Sequence, residues 1–469
     1  MDKTGTLVPS FKIKPIVCIV WSTKAYKTFP DQELQVMQSQ TQSQTRTRDI
    51  GSLESAMRPM KSRIDAIAGS WVQARFGSIV DGFRHGKLKV EWPDGSVTEH
   101  GEACGSDDLA GFGTADNPVV VKLANYEPVR RMAMRGSMGW AESYMDGSWN
   151  TNSIVALFLL FLKNENSFPS SVNGSKLSKV ANKLTHRWNR NTLNGSKRNI
   201  SSHYDLGNEF YRLWLDESMS YSSGWYQSSN QPLATAQQNK MDKVVAAINP
   251  RSDDHVLEIG CGWGSMASSL AEHSGCSVDA ISLSEEQLRF ARDQQKENSK
   301  ECGNINFEFK DYRHVDGVYD HVVSIEMFEA VGREYWAEYF GKLQKVVRQG
   351  GRAVLQVITI LEDRYENYNR KPDFIQKYIF PGGMLPTKTL FEEYAESYGF
   401  EVSNTDFFGD SYAYTLRDWR MRFEASLNEV SDQGFDQRFC RMWNYYLAYC
   451  EAGFTTGSTD VGIWTLTKK

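Results

Sequence analysis

The chain has little of what a membrane-spanning or disulfide-built protein needs. Its longest apolar run, IVALFLLFL from Ile154 to Leu162, falls far short of the roughly 30 Å of a bilayer core at about 1.5 Å per helical residue. No transmembrane helix is expected. The N-terminal stretch puts Lys12 and Lys14 before a short apolar segment at Ile16–Trp21, too brief for a secretory h-region. The reading is therefore an intracellular, cytoplasmic protein. Seven cysteines (18, 104, 261, 276, 302, 440 and 450) are scattered without a C-x-x-C pair, which suggests neither a disulfide framework nor a zinc site. An excess of one charge is also missing. Lys plus Arg is 53 and Asp plus Glu is 58, for a net charge of −5, so no global basic field exists to hold nucleic acid.

What is present describes an enzyme. Hydrophobic residues make up 40%, charged residues 24% and aromatics 12% of 469 residues, a soluble globular composition long enough for two or three folded units. Residues 1–60 include a Gln/Ser/Thr-rich stretch and read as a disordered or targeting tail. Residues 61–165 read as a small α+β domain: GKLKVEWPDGSVTEHG is a hairpin turning at Pro93-Asp94-Gly95, PVVVKL (Pro118–Leu123) is a strand, and two helices broken by a glycine lead into the apolar run. Residues 166–178, within the polar NENSFPSSVNGSKLS, are the candidate linker. From 179 to 469 strand and helix signals alternate. HVLEIGCGWG reads as strand and loop, and CSVDAISLS, INFEFKDY, VYDHVVSIEMF and RAVLQVITI as strands, with YWAEYFGKLQKVVRQGG a helix before the last. Such alternation predicts an α/β, doubly wound, mostly parallel sheet.

One loop stands out chemically. VLEIGCGWG places Gly260, Gly262 and Gly264 after an apolar strand and before a helix, with Glu258 two residues ahead of the first glycine. Glycines there allow a tight turn and close approach of a ligand to the backbone, and the helix start offers free N–H groups. The spacing differs from the dinucleotide fingerprint and resembles the S-adenosylmethionine (SAM) loop of Rossmann-like methyltransferases. In such enzymes Ser282, Leu283, Gln287, Asp311 and Tyr312, at and after the next strand ends, stand where the cofactor is met.

The segment SSHYDLGNEFYRLWLDESMSYSSGWY (Ser201–Tyr226), AQQNKMDKV, SIEMFEAVG, YIFPGGMLP and FGDSYAYTLRDWRMRF resemble the cyclopropane-fatty-acyl-phospholipid synthase family, and SYMDGSWN resembles the end of its N-terminal domain. The resemblance implies a seven-stranded Rossmann-like methyltransferase domain, helices at about 179–247 covering the site, and a lipid-site insertion at about 362–410. It implies methyl transfer from SAM to the cis double bond of an unsaturated phospholipid acyl chain, followed by ring closure, at a membrane surface. Tyr221 and Ser222 would meet the cofactor. A bicarbonate ion would act as base, held by Glu329, Tyr412, the Ile358 backbone, Ser223 and Gln356. Ser223 and Gln356 stand where the bacterial pattern has Cys and His; both donate hydrogen bonds, but Gln cannot become cationic. The small domain would aid membrane docking or homodimerisation, and Lys179, Lys183, Arg187, Arg190, Lys197 and Arg198 could meet anionic headgroups. Three other outcomes stay open: a methyl-branched or methylene product, a small-molecule N-methyltransferase, and SAM or lipid binding without turnover.

Overall fold

The parallel strands form where the sequence offers short apolar runs that can be buried on both faces. A computed structural model describes residues 69–70, 72–74, 76–105, 108–167, 206–297, 304–370 and 372–469. The tail, most of the linker and the six basic residues from Lys179 to Arg198 lie outside the described residues.

The first part of the chain builds a four-stranded sheet in the order β2-β1-β3-β4 from β1 (Leu88–Glu91), β2 (Val97–His100), β3 (Val119–Leu123) and β4 (Trp149–Thr151). β1 and β2 form the expected antiparallel hairpin. Helices α1 (Glu127–Arg135) and α2 (Ser137–Met145) meet at Gly136, whose φ of 63° is open to glycine without strain. The apolar run is α3 (Ile154–Lys163), capped by Ser153, whose hydroxyl accepts from Ala156 N at 3.2 Å. Its residues from Ile154 to Leu160 are all buried, so it is a core helix.

The second part carries α4 (Asn208–Arg212), α5 (Leu233–Ile248), β5 (His255–Ile259), α6 (Ser265–Ser274), β6 (Ser277–Ser282), α7 (Glu285–Glu297), β7 (Ile305–Phe309), β8 (Tyr319–Ile325), α8 (Trp336–Val346) and β9 (Val347–Ile360). After these come α9 (Glu362–Arg370), α10 (Phe374–Tyr378), α11 (Lys388–Ser397), β10 (Phe400–Phe407), α12 (Gly409–Ala425), α13 (Leu427–Asp432), α14 (Gln437–Thr455) and β11 (Thr459–Lys468). Seven strands form one sheet in the order β10-β11-β9-β8-β5-β6-β7, parallel from β9 to β7, with β11 antiparallel to both β9 and β10. The fold is α/β and Rossmann-like. Two details differ from the sequence reading. Val347–Gly351 begin the long strand β9 instead of ending α8, because Val347 reaches over to pair with Tyr319 of β8. The presumed insertion at 362–410 contains α11 and β10, and β10 is an edge strand of the sheet itself, which leaves α9 and α10 as the elements outside the sheet layer.

Described residues from Gly69 onward form one unit. α3 packs on α14 with Phe158 edge-on to Tyr445, ring centroids 4.8 Å apart. Trp140 stacks on Trp149 at 4.5 Å, and the Trp149 indole N–H donates to the Trp140 carbonyl. Arg441 of α14 then donates to the carbonyls of Tyr144 and Trp149 and to Asn150 Oδ1. Glu142 is nearly buried and accepts from Lys377 Nζ and Tyr378 Oη, each at 2.8 Å, and from Arg135. Lys377 and Tyr378, as donors, outweigh desolvation and hold this carboxyl below its usual 4.5. A lowered folded pKa adds stability that is present above the ordinary value and lost as pH falls through the lowered one. Glu142→Gln is therefore expected to lower the melting temperature near pH 7, with the gap closing as pH falls through the lowered pKa. Equal melting of variant and wild type at neutral pH would remove Glu142 from the set of interactions holding the two parts together.

Candidate active site

The chain order along the sheet reverses at β5, which has β6 on one side and β8 on the other. Crevices outside the strand ends at such a reversal are where α/β sheets bind ligands. A cavity of about 160 Å³ opens there. It is lined by the loop after β5 (Gly260, Cys261, Gly262, Trp263), by Glu258, and by Ser282, Leu283 and Gln287 after β6. Tyr312, Glu326, Tyr221, Ser222 and Lys240 complete its wall. Gly260 and Gly262 have φ of 86° and 54°. A Cβ on Gly262, a residue of the cavity wall, would meet no protein atom within 4 Å, whereas one on Gly260 would press on Met327 at 2.9 Å. Glu258 is buried, its Oε2 has no hydrogen-bond partner among the described residues, and burial pushes its pKa up to about 8. A glycine floor with an unpartnered buried acceptor fits SAM, whose amino group and ribose hydroxyls are donors.

Of the residues assigned to the cofactor from the sequence, two stand elsewhere. A Cβ on Gly264 would strike Ala291 and Phe307, each at 2.9 Å, so this glycine lets α7 and β7 close against the loop. The Asp311 carboxylate pairs with Arg313 at 2.6 Å and caps the turn at Tyr312–His314. Neither lines the cavity.

A second cavity, of about 260 Å³, is largely apolar. Ile358, Ile360, Phe380, Leu416, Tyr446 and Phe454 line it, and Leu162, close to the end of α3, reaches it from the first part of the chain. Glu329 and Tyr412 open onto it, as does Arg364, which pairs with Glu165. Tyr221, Glu326 and Ala330 line both cavities. Of the aromatics near the sequence motif, Tyr221 alone faces this junction; Trp225 packs on Phe408 at 4.6 Å and the Tyr226 hydroxyl donates to Asp418 at 2.8 Å.

The expected base-holding groups are together, but they hold a side chain that the sequence reading passed over. Glu326 Oε2 accepts from the Tyr412 hydroxyl at 2.6 Å, and its Oε1 accepts from Gln356 Nε2 at 2.7 Å and from Ser223 N at 2.9 Å. The Ser223 hydroxyl instead donates to the Gly224 carbonyl. Ile358 N donates to Glu329 Oε1, while Glu329 Oε2 has no hydrogen-bond partner among the described residues. Burial, with the Glu326 carboxylate beside it, pushes Glu329 up to about 8. Burial also raises Glu326, opposed by the donors of Tyr412, Ser223 and Gln356 and by the charge of Lys240. Lys240, likewise unassigned from sequence, is fully buried in the cofactor cavity wall; burial lowers it to about 8, and it donates to Ser222 Oγ at 2.9 Å. The signal for Glu326 was present in SIEMFEAVG, which carries two glutamates three residues apart.

Gly262→Ala tests the cofactor cavity, because an added methyl group at this wall residue meets no protein atom within 4 Å and the positive φ costs about 1–2 kcal/mol. The variant is expected to stay folded and to lose at least tenfold in SAM affinity by calorimetry; unchanged affinity would place the cofactor elsewhere.

Comparison with known proteins agrees with this geometry. The mycolic acid cyclopropane synthetase family profile matches residues 191–464. The chain is 35% identical to the tuberculostearic acid methyltransferase of Mycobacterium tuberculosis over 82% of its own length and 88% of the relative's. It is 30% identical to the cyclopropane-fatty-acyl-phospholipid synthase of Escherichia coli K12 over 74% and 87%. A solved mycolic acid cyclopropane synthase complexed with S-adenosylhomocysteine superposes with a TM-score of 0.55 at 28% identity, covering 58% of this chain and 98% of that one. Coclaurine N-methyltransferase, at 16% identity and a TM-score of 0.54 over 71% of this chain and 99% of its own, shares the fold. With a cofactor cavity at the strand reversal and an apolar cavity opening beside it, the chain belongs to the mycolic acid cyclopropane synthetase family and is a SAM-dependent methyltransferase.

Proposed function

We propose that this enzyme methylates the cis double bond of an unsaturated phospholipid acyl chain and closes a cyclopropane ring. The observation that carries this reading is the meeting of an apolar cavity with the cofactor cavity at Tyr221, Glu326 and Ala330. Bound beside that junction, SAM supplies an electrophilic methyl group. An alkene is a weak nucleophile, so the chain must align it and exclude water. Ile358, Ile360 and Leu416 provide walls that an acyl chain can fill. The positive charge left on the acyl chain faces Tyr221, Phe380, Tyr446 and Phe454, and each ring face can stabilise a desolvated cation by about 1–2 kcal/mol. An acyl chain of this kind would be met at a membrane surface, where Leu361, beside the cavity residue Ile360 and 44% exposed, could touch the lipid.

The same site supports a second outcome, a methyl-branched or methylene acyl chain, which the 35% identity to the tuberculostearic acid methyltransferase favours. Incubation with SAM and vesicles of a monounsaturated phospholipid is expected to give acyl chains heavier by one CH2, with upfield cyclopropane protons in the NMR spectrum. Without ring protons, a =CH2 signal or a methyl doublet on a branch carbon would select the second outcome, and no mass gain would discard both. Tyr412→Phe, which removes a donor from Glu326, is expected to lower turnover roughly 10²-fold, the scale of a damaged acid–base arrangement, with SAM affinity unchanged in calorimetry.

A further inference from the structure

We infer that the base of this reaction is the chain's own Glu326, and that the site has no place for a bicarbonate ion. The inference rests on the reading that an acyl alkene is the substrate. Four features lead to it. Glu326 is the carboxylate at the junction, lining both cavities. The donors a small anion would need are engaged: Tyr412 Oη, Gln356 Nε2 and Ser223 N all give their protons to Glu326, and Ile358 N gives its proton to Glu329. Glu326 also has a φ of 48°, which a non-glycine residue adopts at a cost and which recurs where function holds a side chain in place. Two carboxylates this close cannot both ionise readily; Glu326 has three donors and the Lys240 cation, and Glu329 has one backbone donor, so the charge resides on Glu326.

The step balances without a further reactant. The alkene π pair would form a bond to the SAM methyl carbon as the S–CH3 bond breaks, its electrons staying on sulfur in the departing S-adenosylhomocysteine, and the neighbouring alkene carbon would be left positive. Glu326 then takes a proton from the new methyl, and the freed C–H electron pair forms the third bond of the ring. The positive charge that entered with the methyl group ends as the proton on the carboxylate.

Two variants test this. Glycine accepts a φ of 48° freely, so Glu326→Gly keeps the backbone while vacating the space under Tyr412, Gln356 and Ser223; Glu326→Gln keeps shape and removes the base. Wild-type turnover is expected to be the same in carbon-dioxide-depleted and bicarbonate-containing buffer, and the cofactor-free protein is expected to show no bound signal with 13C-bicarbonate in NMR. Glu326→Gln should lose roughly 10²-fold or more in turnover at saturating SAM. Glu326→Gly should lose as much, bind 13C-bicarbonate without cofactor, and recover turnover when bicarbonate is added. A wild-type protein that binds labelled bicarbonate, or a Glu326→Gln variant with full turnover, would overturn the inference. If the wild type leaves acyl lipids unchanged, the proposed reaction fails, while labelled bicarbonate binding by wild type and Glu326→Gly still decides whether Glu326 fills an anion site.

Discussion

The rest of the site depends on one buried carboxylate held by hydrogen bonds from three separate elements. Glu326 follows β8, Gln356 lies on β9, Tyr412 on α12 and Ser223 in the segment between α4 and α5. Hydrogen bonds to an ionised group are worth roughly twice those between neutral partners, and in a dry pocket each partner becomes costly to leave unsatisfied. Their convergence therefore fixes the distance between the sheet, α12 and the Ser223 segment, and with it the junction of the two cavities. Lys240 extends the arrangement toward Glu258, so that two buried acids of the cofactor wall share one buried cation.

Closure of the apolar cavity is a property of the whole chain. Leu162 and the Glu165–Arg364 pair bring the end of α3 and the turn after it to its edge, within the same unit as the sheet. α3 is held there by α14, whose Tyr446, Tyr449 and Cys450 line the cavity while its Tyr445 and Arg441 grip α3 and the Tyr144–Asn150 turn. The apolar run of α3 thus serves packing against α14, the helix that shapes the apolar cavity. This is why it is apolar on all sides yet too short to span a bilayer.

Much of this was legible in the sequence because parallel strands buried on both faces must be short apolar runs: β5 to β8 lie within HVLEIGCGWG, CSVDAISLS, INFEFKDY and VYDHVVSIEMF and end before the polar or turn residues that close those segments. β10 was not legible, since FEVSNTDF lies at the sheet edge with half its side chains in contact with water and mixes polar with apolar residues. Its partner β11 is antiparallel and comes after two long helices, so no βαβ rhythm announces it. Within the site, glycine positions could be read because positive φ restricts residue choice; Asp311 could not, because sequence does not reveal that Arg313 claims its carboxylate. Lys240 looks in sequence like a solvated helix residue, since lysines are seldom fully buried. Which of the two glutamates in SIEMFEAVG faces the junction depends on the left-handed turn at Glu326, a feature of the folded backbone that no periodicity encodes.

The central claim is that a base fixed between the two cavities takes its proton from the newly transferred methyl group. Turnover of a monounsaturated phospholipid with SAM carrying a fully deuterated methyl, followed by mass spectrometry of the acyl chains, reads that event directly. The account expects product that has lost one deuteron from the transferred group, held in a ring. Product that keeps every deuteron would mean that the proton left the acyl chain instead, and would contradict the account.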